Sequence, residues 1–242
     1  MTEPRTCSGR GLIWALIGGA VIVAAIAAIV IASLTAEQPV AKSTTTTRPT
    51  NSTTSAAASG AYVDASVKRK GWVPEPITTD RDRYTRAALA AASTFDTQKS
   101  SRSDWLAFLD TWFTPDIRYT SESDRADDMK ASQLELRQAV VLPESDWNSL
   151  ANEKGRVVAA VPGKITYADV PGDSTGTMKV GTADVVLTYT RSDASGNESS
   201  YNETARVSVQ VLCGAGSIPT PNSAQQPGDC KVVRFISGSQ EP

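Results

Sequence analysis

The sequence predicts an α+β domain, with helices packed on one face of a curved antiparallel sheet, held behind an N-terminal transmembrane helix and a disordered stalk. Three observations lead there. Residues 12–34 form a run without a charge. Between about residues 79 and 152, apolar residues recur at helical spacing. From Gly155 onward they alternate, which is the period of half-buried strands. Helices first and antiparallel strands afterwards is the order of an α+β domain.

The run at 12–34 reads LIWALIGGAVIVAAIAAIVIASL. At about 1.5 Å per residue it spans a hydrocarbon core of roughly 30 Å. A cleaved signal peptide is the rival reading, since Leu34, Thr35 and Ala36 loosely resemble a small-residue cleavage site. The run is much longer than the ~7–15 residues of a signal h-region, which favours an uncleaved anchor. Arg5 and Arg10 precede it, and Lys42 and Arg48 follow at greater distance. The positive-inside rule then puts residues 1–11 in the cytoplasm and the folded domain outside, extracellular or periplasmic. Ala20, Ala24, Ala28 and Ala32 lie at four-residue spacing. They form either a small-residue packing stripe for a second helix or the chance pattern of an alanine-rich run.

Residues 35–60 are dominated by Thr, Ser and Ala, without an aromatic side chain. Such a segment buries too little apolar surface to offset its ordering entropy, so it reads as a disordered linker. Residues 61–78 follow as an extended approach segment, because Pro74 and Pro76 keep the residues before them out of the helical region. Trp72 is expected to pack on the domain, which runs over 79–238.

Thr79 is expected to cap a first helix, with Tyr84, Ala88, Ala91 and Phe95 on its inner face and an end near Thr97. A second helix opens at Ser101 or Ser103. Trp105, Phe108, Leu109, Trp112 and Phe113 give it an aromatic face, and Pro115 stops it. This face reads as core rather than as a ligand box. A third helix spans 121–141, with Ser121 and Asp124 at capping-box spacing. Its apolar pattern is irregular, which predicts a bend or break. A short helical turn over 145–152 then tucks Trp147 under the sheet.

Strands are expected at 156–161, 164–168, 178–189, 201–212 and 231–236, rich in Val, Thr and Tyr. Turn residues at 171–174 and 193–197 connect them as hairpins. Cys213 ends one strand and Cys230 begins the next, with a long Gly-, Pro-, Ser- and Gln-rich loop between them that reads as mobile. On the exported side of an anchor this pair is expected to form a disulfide, the alternative being two buried thiols.

The chain has no histidine. That removes the commonest general base at neutral pH, the commonest metal ligand and every Ser-His-Asp or Cys-His arrangement. No metal-ligand spacing, paired-carboxylate pattern or phosphate-binding glycine loop takes its place, so neither catalysis, a metal nor a cofactor is expected. Glu122, Asp124, Asp127 and Asp128 form an acidic cluster. It reads as a helix N-terminus setting carboxylates against its dipole, with a polar-ligand patch as the alternative. The first sixty residues hold four Lys or Arg and two Asp or Glu, which leaves 20 against 24 for the domain. No direct nucleic-acid binding is expected from a domain of that charge.

The helical stretch 87–95, the segment 105–113 with its tryptophan pair, and the strand series ending at Phe235 follow the anchor and spacer in an order that resembles a known family. It is similar to the bitopic assembly proteins of conjugative and type IV secretion channels, of the TcpC-like kind. The resemblance covers roughly residues 79–236 and lies in architecture and aromatic placement. It implies the cone-shaped fold of nuclear transport factor 2 and a non-catalytic scaffold that oligomerises and contacts other membrane or channel subunits. The small membrane proteins encoded beside actinobacterial lipid-import systems share the plan, and imply instead an accessory module that binds a small molecule or lipid. A pocket with convergent polar groups would favour the second, and a filled core the first.

Overall fold

The computed structural model describes residues 61–236. The expected cytoplasmic tail, membrane helix with its alanine stripe, and linker lie outside the described residues, as do residues 237–238 at the domain's end. Among the described residues no helix is long and apolar enough to cross a membrane.

The approach segment is extended only in part. Its middle winds into a 3-10 helix at Ala65–Lys70, where the Asp64 carboxylate accepts from the Ser66 N–H. Gly71 closes this turn at a φ of 78°, and a Cβ there would meet that of Asp96 at 2.5 Å. Pro74 and Pro76 restrain only the residues beside them and leave this polar stretch free to wind. Val63 N–H donates to the Glu75 carbonyl at 2.9 Å and Ile77 N–H to that of Ala61 at 3.0 Å, so the segment folds back along itself.

Helix α1 spans Arg81–Ala91. Its cap is Asp80, one residue beyond the expected Thr79, and the Asp80 carboxylate accepts from the N–H groups of Asp82 and Arg83. It ends six residues before the expected Thr97, because Phe95 and Asp96 leave to form strand β1 (Phe95–Asp96) against Val157 and Arg156. Thr94 Oγ1 accepts from Ala159 N–H at 3.0 Å, and Thr97 Oγ1 donates to the Gly155 carbonyl at 2.6 Å. Pairing with the sheet here overrides helical periodicity.

Helix α2 covers Arg102–Asp110, capped by Ser101. The aromatic run continues to Phe113, but the helix does not. Trp112 and Phe113 instead lie along the last strand, where Val232 N–H donates to the Trp112 carbonyl and Thr114 N–H to that of Val232. Helix α3, Glu122–Glu135, opens at Ser121, whose Oγ accepts from Asp124 N–H at 3.1 Å. The expected irregularity is one π-helical turn, Leu136–Val140, with Leu136 wholly buried. Helix α4, Glu144–Asn152, buries Trp147 and Leu150.

Strands β2 (Arg156–Ala160), β3 (Thr166–Asp169), β4 (Met178–Ser192), β5 (Glu198–Leu212) and β6 (Lys231–Ile236) complete a six-stranded sheet. Every pairing is antiparallel. β4 is its axis: β3 covers the first half of one edge and β2 the second half, while β5 runs along the whole of the other edge. Within the described residues β6 pairs with β5 from Leu212 back to Ser208. The sheet curls into a half-barrel around the helices.

The core lies in that curve. Tyr84, Phe95, Trp105, Leu109, Trp112, Leu136 and Leu150 pack against Val157, Val185, Val209, Val211, Val232 and Phe235. Phe95 sits 4.2 Å from Trp147 and 4.9 Å from Trp105, centroid to centroid. Trp72 is buried, as expected, and stacks on Phe108 at 4.9 Å. Phe108 itself remains half-buried, unlike the other aromatic residues of its run.

Candidate functional site

Cys213 and Cys230 are joined by a disulfide. The loop it closes reads as mobile in the sequence, yet polar side chains fasten it to the domain. Ile218 N–H donates to Thr114 Oγ1 at 2.9 Å and Thr220 Oγ1 to the Thr111 carbonyl at 3.0 Å, while Gly228 N–H to Ser217 Oγ at 3.0 Å braces the loop internally.

Beneath the loop is a buried polar cluster that sequence reasoning missed. Lys231 and Glu75 are each 1 % exposed and paired at 2.8 Å. Lys231 Nζ also donates to the Thr111 carbonyl at 2.8 Å and to Thr220 Oγ1 at 2.7 Å, which uses all three of its donors. Glu75 accepts from Tyr84 Oη at 2.7 Å and from Gln225 Nε2 at 3.2 Å. Burial pulls the Lys231 ammonium below its ordinary range, with Glu75 opposing. Burial also pushes the Tyr84 hydroxyl well above its ordinary range, and Glu75 adds to that shift. Approach segment, α1, disulfide loop and β6 meet in this clasp. Its groups are shut from solvent and satisfied by one another, which is a fastening rather than a reactive arrangement. The sequence signals were weak: a lysine opening an apolar strand, and a glutamate between two prolines.

A second polar group joins the loop before α3 to the sheet. Asp116 takes both Nε and Nη2 of Arg118 and lies 3.4 Å from Gln210 Nε2. Burial alone would raise the Asp116 carboxyl, but hydrogen bonds and charge from Arg118 outweigh it and the net shift is downward. Asp128 is shifted upward by burial and by the charge of Asp116.

The acidic cluster meets the dipole reading in half of its members, since Asp127 and Asp128 lie beyond the first turn of α3. Glu122 and Asp124 stand in the first turn of α3, and Asp127 faces Lys130 at 3.9 Å. Among the described residues no group of three or more His, Cys, Asp or Glu is placed to hold a metal ion.

The concave face is filled rather than hollow. Beside the π turn lies a shallow cavity of about 250 Å³ between Gln138, Val141 and Pro143 on one side and Val157, Leu187 and Tyr189 on the other. A hollow of about 190 Å³ adjoins it through Leu142 and Tyr189. Both fall below the roughly 300–1,000 Å³ of typical small-molecule sites. A wider cleft of about 540 Å³ opens between the approach segment and α1. Arg86 on its wall is already held by Asp82 at 2.7 Å and by the carbonyls of Val161 and Gly163. The exposed large apolar residues, Tyr119, Leu134, Val158, Tyr201 and Ile218, are spread over separate elements.

No protein-family model and no curated protein matches this chain. Several solved structures are partly similar. An IcmL-like type IV secretion system protein from Legionella pneumophila shares 13% identity at a TM-score of 0.42, over 67% of this chain and 95% of that one. CagV from Helicobacter pylori, a VirB8 homolog of a type IV secretion system, shares 15% at 0.36, over 64% and 93%. The periplasmic domain of DotI shares 14% at 0.37, over 67% and 99%.

Proposed function

We propose that this protein is a membrane-anchored, non-catalytic assembly component of a conjugation or type IV secretion-like apparatus, working through its extracytoplasmic domain. The observation that carries the reading is the filled core. The curve of the sheet is occupied by Phe95, Trp105, Trp147 and Leu136, where a binding module of this architecture would hold a chamber. The buried charges Glu75 and Lys231 are spent on each other, and buried Asp116 on Arg118. The uncharged run at 12–34, the spacer at 35–60 and the order of helices and strands support the same reading. The accessory lipid-binding reading would have to use the cleft of about 540 Å³ between the approach segment and α1, which opens to solvent and whose Arg86 is already held by Asp82 and by backbone carbonyls.

The test is partner co-purification of the full chain from its own membranes, across a set of exposed charge reversals. Other membrane subunits are expected to co-purify, and one or more reversals to reduce that association while the domain stays folded. The assembly reading fails if no surface change ever does so.

A further inference from the structure

Charge is unevenly divided along the chain after the apolar run. From residue 35 to Gly71 it carries five Lys or Arg and two acids, Glu37 and Asp64. Beyond Gly71 it carries 17 Lys or Arg against 23 Asp or Glu. Three of those five cations, Lys68, Arg69 and Lys70, stand together and exposed on the 3-10 turn of the approach segment. Val67 alone of that turn is buried. Basic residues at a helix C-terminus are ordinarily set against its last carbonyls. Here Gly71 N–H already meets the Lys68 carbonyl at 3.0 Å, and Trp72 N–H that of Val67 at 3.3 Å. Among the described residues none of the three cations enters an ion pair. Lys68 Nζ lies 4.9 Å from the centre of the Tyr62 ring and Lys70 Nζ 4.6 Å from that of Trp72, so both stems are steadied while their charges stay in solvent. Asp64 caps the turn and opposes them, its carboxyl pulled below the ordinary range by Ser66 first and then by Arg69 and Lys70. Residues 35–60 and 237–242 hold one acid each, Glu37 and Glu241, and the former also hold Lys42 and Arg48. They do not neutralise the turn.

We propose that the Lys68–Arg69–Lys70 turn docks the folded domain on the anionic lipid headgroups of the membrane that anchors it. The proposal rests on the anchored, exported reading and adds to it a second, reversible membrane contact. Each Lys or Arg near an anionic bilayer raises the bound population about five-fold, and the effect decays within a Debye length of about 8 Å at physiological salt. The turn is the first helical element after the spacer, whose span as a flexible chain is about 28 Å. Its cations therefore meet that surface at high effective concentration, where three weak attractions are enough to hold the domain down. The acidic remainder of the domain is repelled by the same surface, so the two ends of the charge distribution favour one orientation, with the basic turn toward the headgroups.

The test uses the full chain in lipid nanodiscs, whose two faces have the same composition, with Cys7→Ser to remove the free thiol. Ala65→Cys carries a fluorophore, since in a 3-10 turn it eclipses Lys68, and a nitroxide on the lipid headgroups quenches the dye on contact. Quenching is expected in discs of phosphatidylcholine mixed with phosphatidylglycerol and not in phosphatidylcholine alone. Salt at about 1 M, where the Debye length is about 3 Å, is expected to abolish it. Lys68→Gln, Arg69→Gln or Lys70→Gln alone should lower the docked-to-free ratio about five-fold, and the three together about a hundred-fold. Lys130→Gln with Lys164→Gln should leave the ratio unchanged, and all these variants should keep the parent melting temperature. Equal quenching with and without phosphatidylglycerol overturns the proposal, as does undiminished quenching of the triple variant. Absence of quenching in anionic discs also overturns it, and leaves the anchor reading standing where the chain resists alkaline extraction. A chain that alkali extracts overturns anchor and docking together. If the triple variant loses co-purifying subunits while lipid charge has no effect, the turn meets an acidic protein and the lipid proposal is overturned.

Discussion

Trp105 is wholly buried, 4.9 Å from Phe95 and 5.6 Å from Trp147, centroid to centroid. Trp105→Ala is expected to cost about 3–5 kcal/mol, as for other large aromatic core residues. That is a large share of the roughly 5–15 kcal/mol that holds a typical domain folded. Phe108→Ala should cost less, because that ring is only half-buried against Trp72. Urea unfolding of the two variants checks the ranking. A Trp105→Ala chain that stayed fully stable yet lost its partners would place that ring in a working pocket. The Glu75–Lys231 pair gives a second test. Glu75→Ala leaves a buried ammonium without its counter-charge and should lower stability by about 3–5 kcal/mol. Glu75→Leu with Lys231→Met, which removes both charges, should recover much of that loss in thermal melts. The tryptophans were legible in the sequence because core spacing is local. The clasp was not, since Glu75 and Lys231 stand 156 residues apart and pair only after the whole sheet is built.

Among the elements, strands read more truly than helix ends. β6 falls at its expected bounds, and β2, β4 and β5 within about three residues at either end, because alternation and turn residues bracket them. α1 and α2 were read too long, since Phe95, Trp112 and Phe113 keep helical spacing while their backbones pair elsewhere. Residues that continue an apolar period beyond a helix leave no mark of where the helix stops. The disulfide loop departs from expectation for the opposite reason: its composition reads as mobile, while bonds from Ile218, Thr220 and Gln225 to Thr114, Thr111 and Glu75 tie it down. This bears on what the disulfide contributes. Closing a loop of this length contributes about 3 kcal/mol in the chain-entropy account. Changing Cys213 and Cys230 both to serine should lower the melting temperature and raise amide exchange in the loop and along β6. The strands β2 and β4 should keep their protection. Two thiols that alkylate without reduction in the exported protein would show that the bond does not form.

For the molecule as a whole, the proposed anchor and spacer decide where the domain can act. With the N-terminus cytoplasmic, everything after residue 34 lies outside, and a reporter active only in the cytoplasm should be silent when fused after Pro242. An active fusion would sink the topology and with it the exported setting in which the disulfide forms. The spacer then fixes reach. Residues 35–60, taken as a flexible chain, give a root-mean-square span of about 28 Å at roughly 5–6 Å × √n. A domain tethered on such a span meets its partners at high effective concentration, so contacts too weak to form in free solution can hold within an assembly. Cutting the spacer to about six residues would shrink the span by half. The expected outcome is a domain of unchanged melting temperature whose co-purification with membrane partners falls sharply, because the surfaces that bind are intact and can no longer reach. If association survives that shortening unchanged, the partners sit at the membrane surface and the spacer does not set the working distance.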